Sequence, residues 1–407
     1  MGPLAGIKVL DLSRILAGPW ATQCLADFGA TVWKVERPGS GDDTRHWGPP
    51  WLKGAKGKDI AEAAYFASTN RGKQSIAVDF TKPAGQQIVR SLAMHADVLI
   101  ENFKVGKLAQ YRLGYESLKG VNPKLVYCSI SAYGQDGPAA DEPGYDAMIQ
   151  AISGLMSVTG VPDGQPGAGP VKLGVAVSDL IAGMYAVTAI LAALCERETS
   201  GRGEYIDLAL LDAQVAALAN QTLNFLVTGK PPVRRGTAHP NIVPYQAFPT
   251  RDAWLMLAVG NDRQYQAFCK AAGKPALAQD ARFRSNAQRV ENRAALVPAI
   301  EKLCRKKTTR EWVRTLTRAG VPCGPINSIA DVFEEPQVKH RKLRFELPHA
   351  LGGQVPQVRN PAIFSRNTLV YSTPPPLLGE HTGAVLSREL GLSEAEILSL
   401  KTDGTIG

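Results

Sequence analysis

The chain has 407 residues, with 46 Lys and Arg against 37 Asp and Glu, a formal net charge of +9, and 44% hydrophobic and 20% charged residues. That length exceeds one comfortable core and predicts two domains or one elaborated α/β domain, in a composition typical of globular chains rather than disordered or fibrous ones. The basic excess is dispersed, without a basic helix or aromatic platform motif. This argues against nucleic-acid binding and leaves either an ordinary surface habit or an anionic small ligand, such as one bearing phosphates.

The opening "MGPLAGIKVLDLS" enters a strand pattern at once, with neither the basic and apolar regions of a signal peptide nor an Arg-rich leader, so a cytoplasmic setting is expected. "IKVLDLS" reads as a strand, "GPWATQCLADFG" as a helix and "ATVWKVERP" as a second strand closed by Pro38. The runs "DVLIENF" (97–103) and "KLVYCSISAYG" (124–134) extend this start to a parallel sheet with helices on both faces. Glu36 ends the second strand where a dinucleotide fold carries its ribose-binding acid. Yet the first turn, "LSRILAGPW", has one Gly where that fingerprint needs three, so the backbone cannot closely approach a pyrophosphate in that pose. A nicotinamide dehydrogenase is disfavoured.

In "VKLGVAVSDLIAGMYAVTAILAAL" (171–194) one acid, Asp179, stands at the mouth of a long apolar run of helical period. Ser178 or Asp179 reads as an ordinary N-cap there. The run carries an Asp and several small residues, so it does not reach the ~18 consecutive apolar residues of a membrane span.

Past residue 200, "TSGRGEYIDLALLDA" gives a turn, a strand and the start of a helix reaching about Leu226, and "VTGKPPVRRGTAHPN" is a basic loop. "AWLMLAVGNDRQY" is a strand leading into a turn and helix, and residues 263–319 are helical and charge-rich, as in a smaller α-rich domain. Pro and Gly recur from "CGPINSIADVFEEPQV" to "STPPPLLGEHT", before a last short helix, "SEAEILSL". Cysteines 24, 128, 195, 269, 304 and 323 form no CxxC pair and have no His at metal spacing, so buried free thiols and no metal site are expected.

Several of these stretches, in order, are similar to the class III CoA-transferases. They are "GIKVLDLSRILAGPWATQCLADFGATVWKVERPGSGDDTR", "NRGKQSIAVDFTKPAG", "ADVLIENFKVGKLAQYRLGY", "CSISAYGQDGP", "GYDAMIQAISGLMSVTG", "VAVSDLIAGMYAVTAILAAL", "GRGEYIDLALLDA" and "LGEHT", which run from residue 6 to beyond 380. The resemblance implies a Rossmann-like large domain from residues 1–224 and a return segment 329–407, a smaller α-rich domain at 225–328, and an interlocked homodimer. It places the family's catalytic aspartate on Asp179, where a helix N-terminus would also favour the anion. A CoA thioester is then a substrate, with no permanently bound cofactor, no metal, and neither nucleic acid nor membrane as partner.

Carried over position by position, the resemblance puts CoA contacts at Leu16 and Ala17, at Arg37 near the adenosine diphosphate end, at Val78, Asp79 and Phe80, at Asn102 and Phe103, and at Tyr133 and Gly134 along the pantetheine path. Gln110 stands where formyl-CoA transferase has an Arg, so that phosphate contact has to come from elsewhere. The Gly-rich flap of oxalate-type relatives is replaced by "AVGNDRQY", with Gly260 and Asn261, which implies a shorter or stiffer flap and a larger acceptor.

The stretches "ERPGSGDDTRHWGPP" (36–50), "GTAHPNIVPYQAF" (236–248) and "VPCGPINSIADVFEEPQV" (321–338) look most like the branch that uses succinyl-CoA and glutarate. An enclosed second carboxylate needs a cation or several donors. The candidates are Arg14, Arg45, His46, Arg71 and His239, with Arg45 and His239 first; a loop-ordering role is the alternative for each. The rivals are a 2-methylacyl-CoA racemase, a CoA-transferase for oxalate, carnitine, itaconate or malate, and a non-catalytic CoA-binding protein. A racemase needs an acid/base pair, typically with His, and no His stands beside "SAYG".

Overall fold

In a computed structural model, which describes residues 2–407, the apolar runs of the N-terminal half become six strands. They are β1 (Lys8–Asp11), β2 (Thr31–Glu36), β3 (Lys73–Ala77), β4 (Val98–Glu101), β5 (Val126–Ser131) and β6 (Tyr205–Ala209). The sheet order is β6-β5-β4-β1-β2-β3 and every neighbouring pair is parallel. The helices that cover it are α1 (Ala17–Asp27), α2 (Pro83–His95), α3 (Asp146–Ile152), α4 (Val177–Ser200) and α5 (Leu210–Ala217).

Successive strand residues alternate between two cores, as a sheet buried on both faces requires. Val9, Val32, Val98 and Val126 pack with Ala21 and Leu25 of α1 and Ala186 and Ile190 of α4. Leu10, Trp33, Leu99 and Tyr127 pack with Ile88, Val89 and Leu92 of α2. The order reverses between β1 and β4, and in parallel sheets ligands settle at such a reversal, outside the carboxyl ends of the strands. Here those ends deliver the loops 12–16 and 102–105.

This sheet belongs to a unit made of residues up to Leu155, Leu173–Ala219 and Lys339–Gly407. The last segment clamps the edge strand β3: the Ala77 N–H donates to Thr382 Oγ1 at 3.0 Å, and the His381 N–H donates to Ser75 O at 2.9 Å. Helix α4 is long and apolar enough to cross a bilayer, although the count of consecutive apolar residues pointed away from one, because its Ile, Leu and Val residues lift the mean hydropathy over the lone Asp and the small residues. Its Ala182, Gly183, Ala186 and Ile190 are buried in the unit's core.

The second unit comprises Met156–Lys172 and Asn220–Val338. It holds an antiparallel sheet of β7 (Tyr245–Pro249), β8 (Trp254–Ala258) and β9 (Cys323–Pro325), with the helices α6 (Asp262–Ala271), α7 (Arg293–Cys304) and α8 (Thr309–Arg318). Its core gathers Phe248, Leu255, Phe268, Leu296, Ile300 and Trp312. The segment 156–172, which the resemblance put with residues 1–224, enters this unit as a short hairpin. Arg234 Nε donates to Val161 O at 3.2 Å and the Gly236 N–H donates to Gly160 O at 3.1 Å, contacts with no periodic signature. All six cysteines are free and Cys24, Cys128, Cys269 and Cys304 are buried as expected, but Cys323 is half-buried and Cys195 is exposed, being absent from the buried face of α4.

Candidate functional site

The expected cap at Ser178 or Asp179 is not the observed one. Helix α4 begins at Val177 with Ala176 as a bare N-cap, and its capping carboxylate comes from α3: Asp146 Oδ1 accepts the Ser178 N–H at 2.8 Å, while its Oδ2 accepts Gln150 Nε2 at 2.7 Å. Ser178 Oγ donates to Gln214 Oε1 at 2.9 Å. Asp179 is thereby relieved of capping, and among the described residues its carboxylate accepts no hydrogen bond. It lines a cavity of about 290 Å³ with Arg14, Ile15, Leu16, Ala17, Asn102 and Phe103. Burial, and after it the charge of Asp146, pushes the Asp179 carboxyl up to about 7. The Tyr65 hydroxyl is raised by burial and by the same two carboxylates.

Gly183 lies one turn beyond Asp179 on the same helix face. A Cβ there would stand 2.7 Å from the Ala17 carbonyl oxygen, so glycine is what lets α4 close onto the start of α1. Asp179 is held beside the loop after β1 for this reason.

That loop is pinned by side chains. The Ser13 N–H donates to Asp11 Oδ1 at 2.9 Å, Lys34 Nζ donates to Ser13 O at 2.9 Å, and the Asn102 amide accepts the Arg14 N–H and donates to Arg14 O, both at 2.8 Å. The Ile15 N–H donates to the Asp42 carboxylate, 3.2 Å from Oδ2. Ile15 has φ 71°, the left-handed region that a β-branched side chain rarely enters, at a cost of about 1–3 kcal/mol. The next N–H groups, of Leu16 and Ala17, open α1 and have no acceptor among the described residues, as first-turn donors do. Beneath lie two fully buried ion pairs, Lys34–Asp42 at 2.9 Å and Lys73–Asp11 at 3.1 Å; burial lowers the Lys73 ammonium to about 8.

A second cavity, of about 350 Å³, shares Arg14 and Phe103 with the first. Arg37, Val78, Asp79 and Phe80 line it, with Lys34, Lys107 and Tyr111. The Phe80 ring meets the Phe103 and Tyr111 rings edge-on, each at 5.7 Å, and the Arg14 guanidinium sits 5.4 Å from the Phe103 centroid. Cations beside aromatic faces suit a phosphorylated nucleotide. Gln110 carries no charge, but Lys107, one turn earlier, reaches its Oε1 at 3.3 Å and supplies a cation to the wall.

The structure therefore gathers Leu16, Ala17, Asn102 and Phe103 around Asp179, and Arg37, Val78, Asp79, Phe80 and Phe103 in the adjoining cavity. Tyr133 and Gly134 line neither, although Ala132 before them does. Gly134 takes φ 101° and donates its N–H to Ser131 Oγ at 2.9 Å.

Arg45, a first choice for gripping a second carboxylate, is committed elsewhere. It is buried with Nε and Nη2 on Glu36 at 2.7 and 2.8 Å, Nη1 on Glu62 at 3.2 Å and Nη2 also on Pro376 O, and its guanidinium lies 3.7 Å from the Phe66 centroid. The same pairing accounts for Glu36, which holds Arg45 rather than a ribose. Arg71 is likewise taken, by Asp27 at 2.9 and 2.6 Å, and His46 contacts Ser40 O at 2.8 Å.

In the second unit, His239 Nδ1 accepts the Asn241 N–H at 3.0 Å and its carbonyl accepts Arg293 Nη2 at 2.8 Å; burial and then Arg293 lower its imidazole pKa. The residues at the flap position open a helix: Asn261 Oδ1 accepts the Gln264 N–H at 2.9 Å as the N-cap of α6, and the Gly260 N–H donates to Gln264 Oε1 at 2.8 Å. Sequence reasoning missed Asp146, Tyr65, Lys107 and Tyr111 as site residues. The i, i+3 spacing of Lys107 and Gln110 could have flagged the former, whereas Asp146 meets its partner 32 positions later and has no local signal.

A sequence model described as CoA-transferase family III matches residues 4–382. The chain is 51% identical to a succinate–glutarate CoA-transferase of Agrobacterium fabrum, covering 95% of each chain, and 45% identical to a succinyl-CoA:glutarate CoA-transferase of Mus musculus, covering 100% of this chain and 91% of that one. A crystal structure of a CaiB/BaiF family protein from Brucella suis superposes with a TM-score of 0.83 at 46% identity, over 95% of this chain and 99% of that one. Matches of that extent, on a chain whose parallel sheet opens its crevice beside an unengaged carboxylate, establish that it belongs to CoA-transferase family III and is a CoA-transferase.

Proposed function

We propose that the protein moves CoA from succinyl-CoA to glutarate, with Asp179 as the covalent acyl acceptor. One observation carries the nucleophile: the Asp179 carboxylate, free of hydrogen bonds among the described residues, lines a cavity that shares Arg14 and Phe103 with the cation- and ring-lined one. The names of the Agrobacterium and mouse relatives support the pair of acids. The first cavity takes the thioester and pantetheine, the second the nucleotide.

The ionised carboxylate attacks the succinyl thioester carbonyl, forming a mixed anhydride and releasing CoA thiolate. The thiolate attacks the aspartyl carbonyl, giving an aspartyl-CoA thioester and freeing succinate. Glutarate then attacks that thioester, forming a second anhydride, and the expelled thiolate attacks its glutaryl carbonyl to give glutaryl-CoA and regenerate Asp179. The N–H groups of Leu16 and Ala17, unused backbone donors of residues that line the same cavity, are the candidates to meet the oxyanions of these steps. A racemase reading is disfavoured because, among the described residues, no His lines the Asp179 cavity.

The strand order supports a Rossmann-like first unit. We carry the interlocked homodimer from the family resemblance and the cytoplasmic setting from the opening of the sequence; exposed Leu223, Leu226 and Val227 on helix Asn220–Thr228 of the second unit, and separately Tyr145, Met148 and Ile152 of the first, are apolar surface that self-association would cover. Incubation with succinyl-CoA followed by peptide mass analysis tests the nucleophile, the expected product being an Asp179 adduct trappable by hydroxylamine. An adduct at another residue overturns it. A transfer panel over glutarate, oxalate, carnitine and itaconate tests the acids, and preference for oxalate or carnitine overturns that assignment.

A further inference from the structure

Every backbone polar group from the Ser13 N–H to the Ile15 N–H meets a side chain, and the last of them is the strained one. An isoleucine does not stay in the left-handed region unless its surroundings over-determine it. The side chain that meets the Ile15 N–H is Asp42. It is 1% exposed, caps the short turn Asp43–His46 by accepting the Thr44 N–H at 3.0 Å, and faces Lys34 at 2.9 Å. Its own N–H donates to Glu36 Oε2 at 3.0 Å, so the carboxylate cannot drift from the loop.

We propose that Asp42 is a positioning residue of the transfer reaction: with Lys34 as its counter-ion it holds Ile15 left-handed through the Ile15 N–H, and so sets Leu16 and Ala17 on the cavity wall shared with Asp179. The inference rests on Asp179 being the nucleophile. If Ile15 relaxed to the extended region, the chain direction entering α1 would change, and the two unused N–H groups that follow it would leave their places. Asp42 also stands in the wall of the second cavity, but it is 1% exposed and its carboxylate is taken up by Lys34, Thr44 and the loop, so its effect on the transfer step runs through the Ile15 N–H.

The test is a double-mutant cycle on the full chain, read as the rate of CoA transfer from succinyl-CoA to glutarate. Asp42→Asn keeps the shape but removes the charge opposite Lys34, and is expected to lower kcat about ten- to a hundred-fold, the scale of an ångström-level misplacement. Glycine adopts the left-handed region without steric cost, so adding Ile15→Gly is expected to recover at least about five-fold of that loss. A purely structural Asp42 predicts the reverse, a double variant less stable and less active than Asp42→Asn. That result, or native kcat in Asp42→Asn, overturns the proposal. Should Asp42→Asn not fold, Asp42→Glu retains the charge and displaces the acceptor by one methylene, with the same fall and rescue expected and the same overturning results. Failure of the Asp179 assignment shows separately, as transfer retained by Asp179→Ala.

Discussion

Asp146 Oδ1 accepts the Ser178 N–H at 2.8 Å, and the next residue along the helix is Asp179. One carboxylate thus caps the helix that carries the other and, lying close to it, holds back its ionisation, second only to burial.

The acyl acceptor must be ionised to attack, and its carboxyl stands near 7. Transfer by the native enzyme should therefore rise with pH through about 7. Asp146→Asn removes the second cause of the upward shift, so its inflection should move to lower pH. A pH titration of kcat/KM checks this, and an unmoved inflection contradicts it.

The same shift has a stability sign. The unfolded carboxyl titrates near about 3.9 and the folded one near 7, so the folded state favours the protonated form. That stabilisation is full below about pH 3.9 and is lost as pH rises through 7. Asp179→Asn cannot ionise and retains it, so at pH 8 its Tm should exceed the native value by a few degrees, with the difference closing near pH 4.

Gly183→Ala introduces a Cβ 2.7 Å from Ala17 O, a backbone atom that cannot step aside cheaply. We expect a loss of about 1–3 kcal/mol by urea denaturation. A fall in kcat of about ten-fold or more should accompany it, because Asp179 is displaced with its helix.

Arg45→Met leaves Glu36 and Glu62 without their cation in a buried setting, at an expected cost of about 3–5 kcal/mol in urea denaturation. A substrate role for Arg45 predicts the opposite pattern, stability kept and KM for glutarate raised.

Phe80→Ala removes the ring that joins Phe103 to Tyr111. KM for the CoA thioester should rise about ten-fold with kcat little changed, since the contact is equally present in ground and transition states. Initial rates at varied succinyl-CoA check it.

What the sequence revealed was what short-range order encodes. Strand and helix periods marked the parallel sheet, and ordered motifs pointed to Asp179 and the loops at the strand ends. What it hid was set by partners far along the chain. The cap on α4 comes from 32 positions upstream, Arg45 is held partly by a carbonyl at position 376, and the lysines at 34 and 73 lie within strands whose buried counter-charges no periodicity announces. The resemblance makes Gly260 and Asn261 the counterpart of a Gly-rich flap; that Asn261 also caps α6 through the Gln264 N–H is seen only in the structure. Ile15 could not be found at all, since nothing in an isoleucine foretells a left-handed backbone.

The clamp on β3 bears on how the protein is made. Residues 379–382, which fasten that edge strand, leave the ribosome after the whole second unit has been synthesised, so the second unit can close while the first still waits with an open flank. A nascent chain stalled before residue 339 would carry a finished domain and an unfinished one, with an unpaired strand edge for chaperones to shelter.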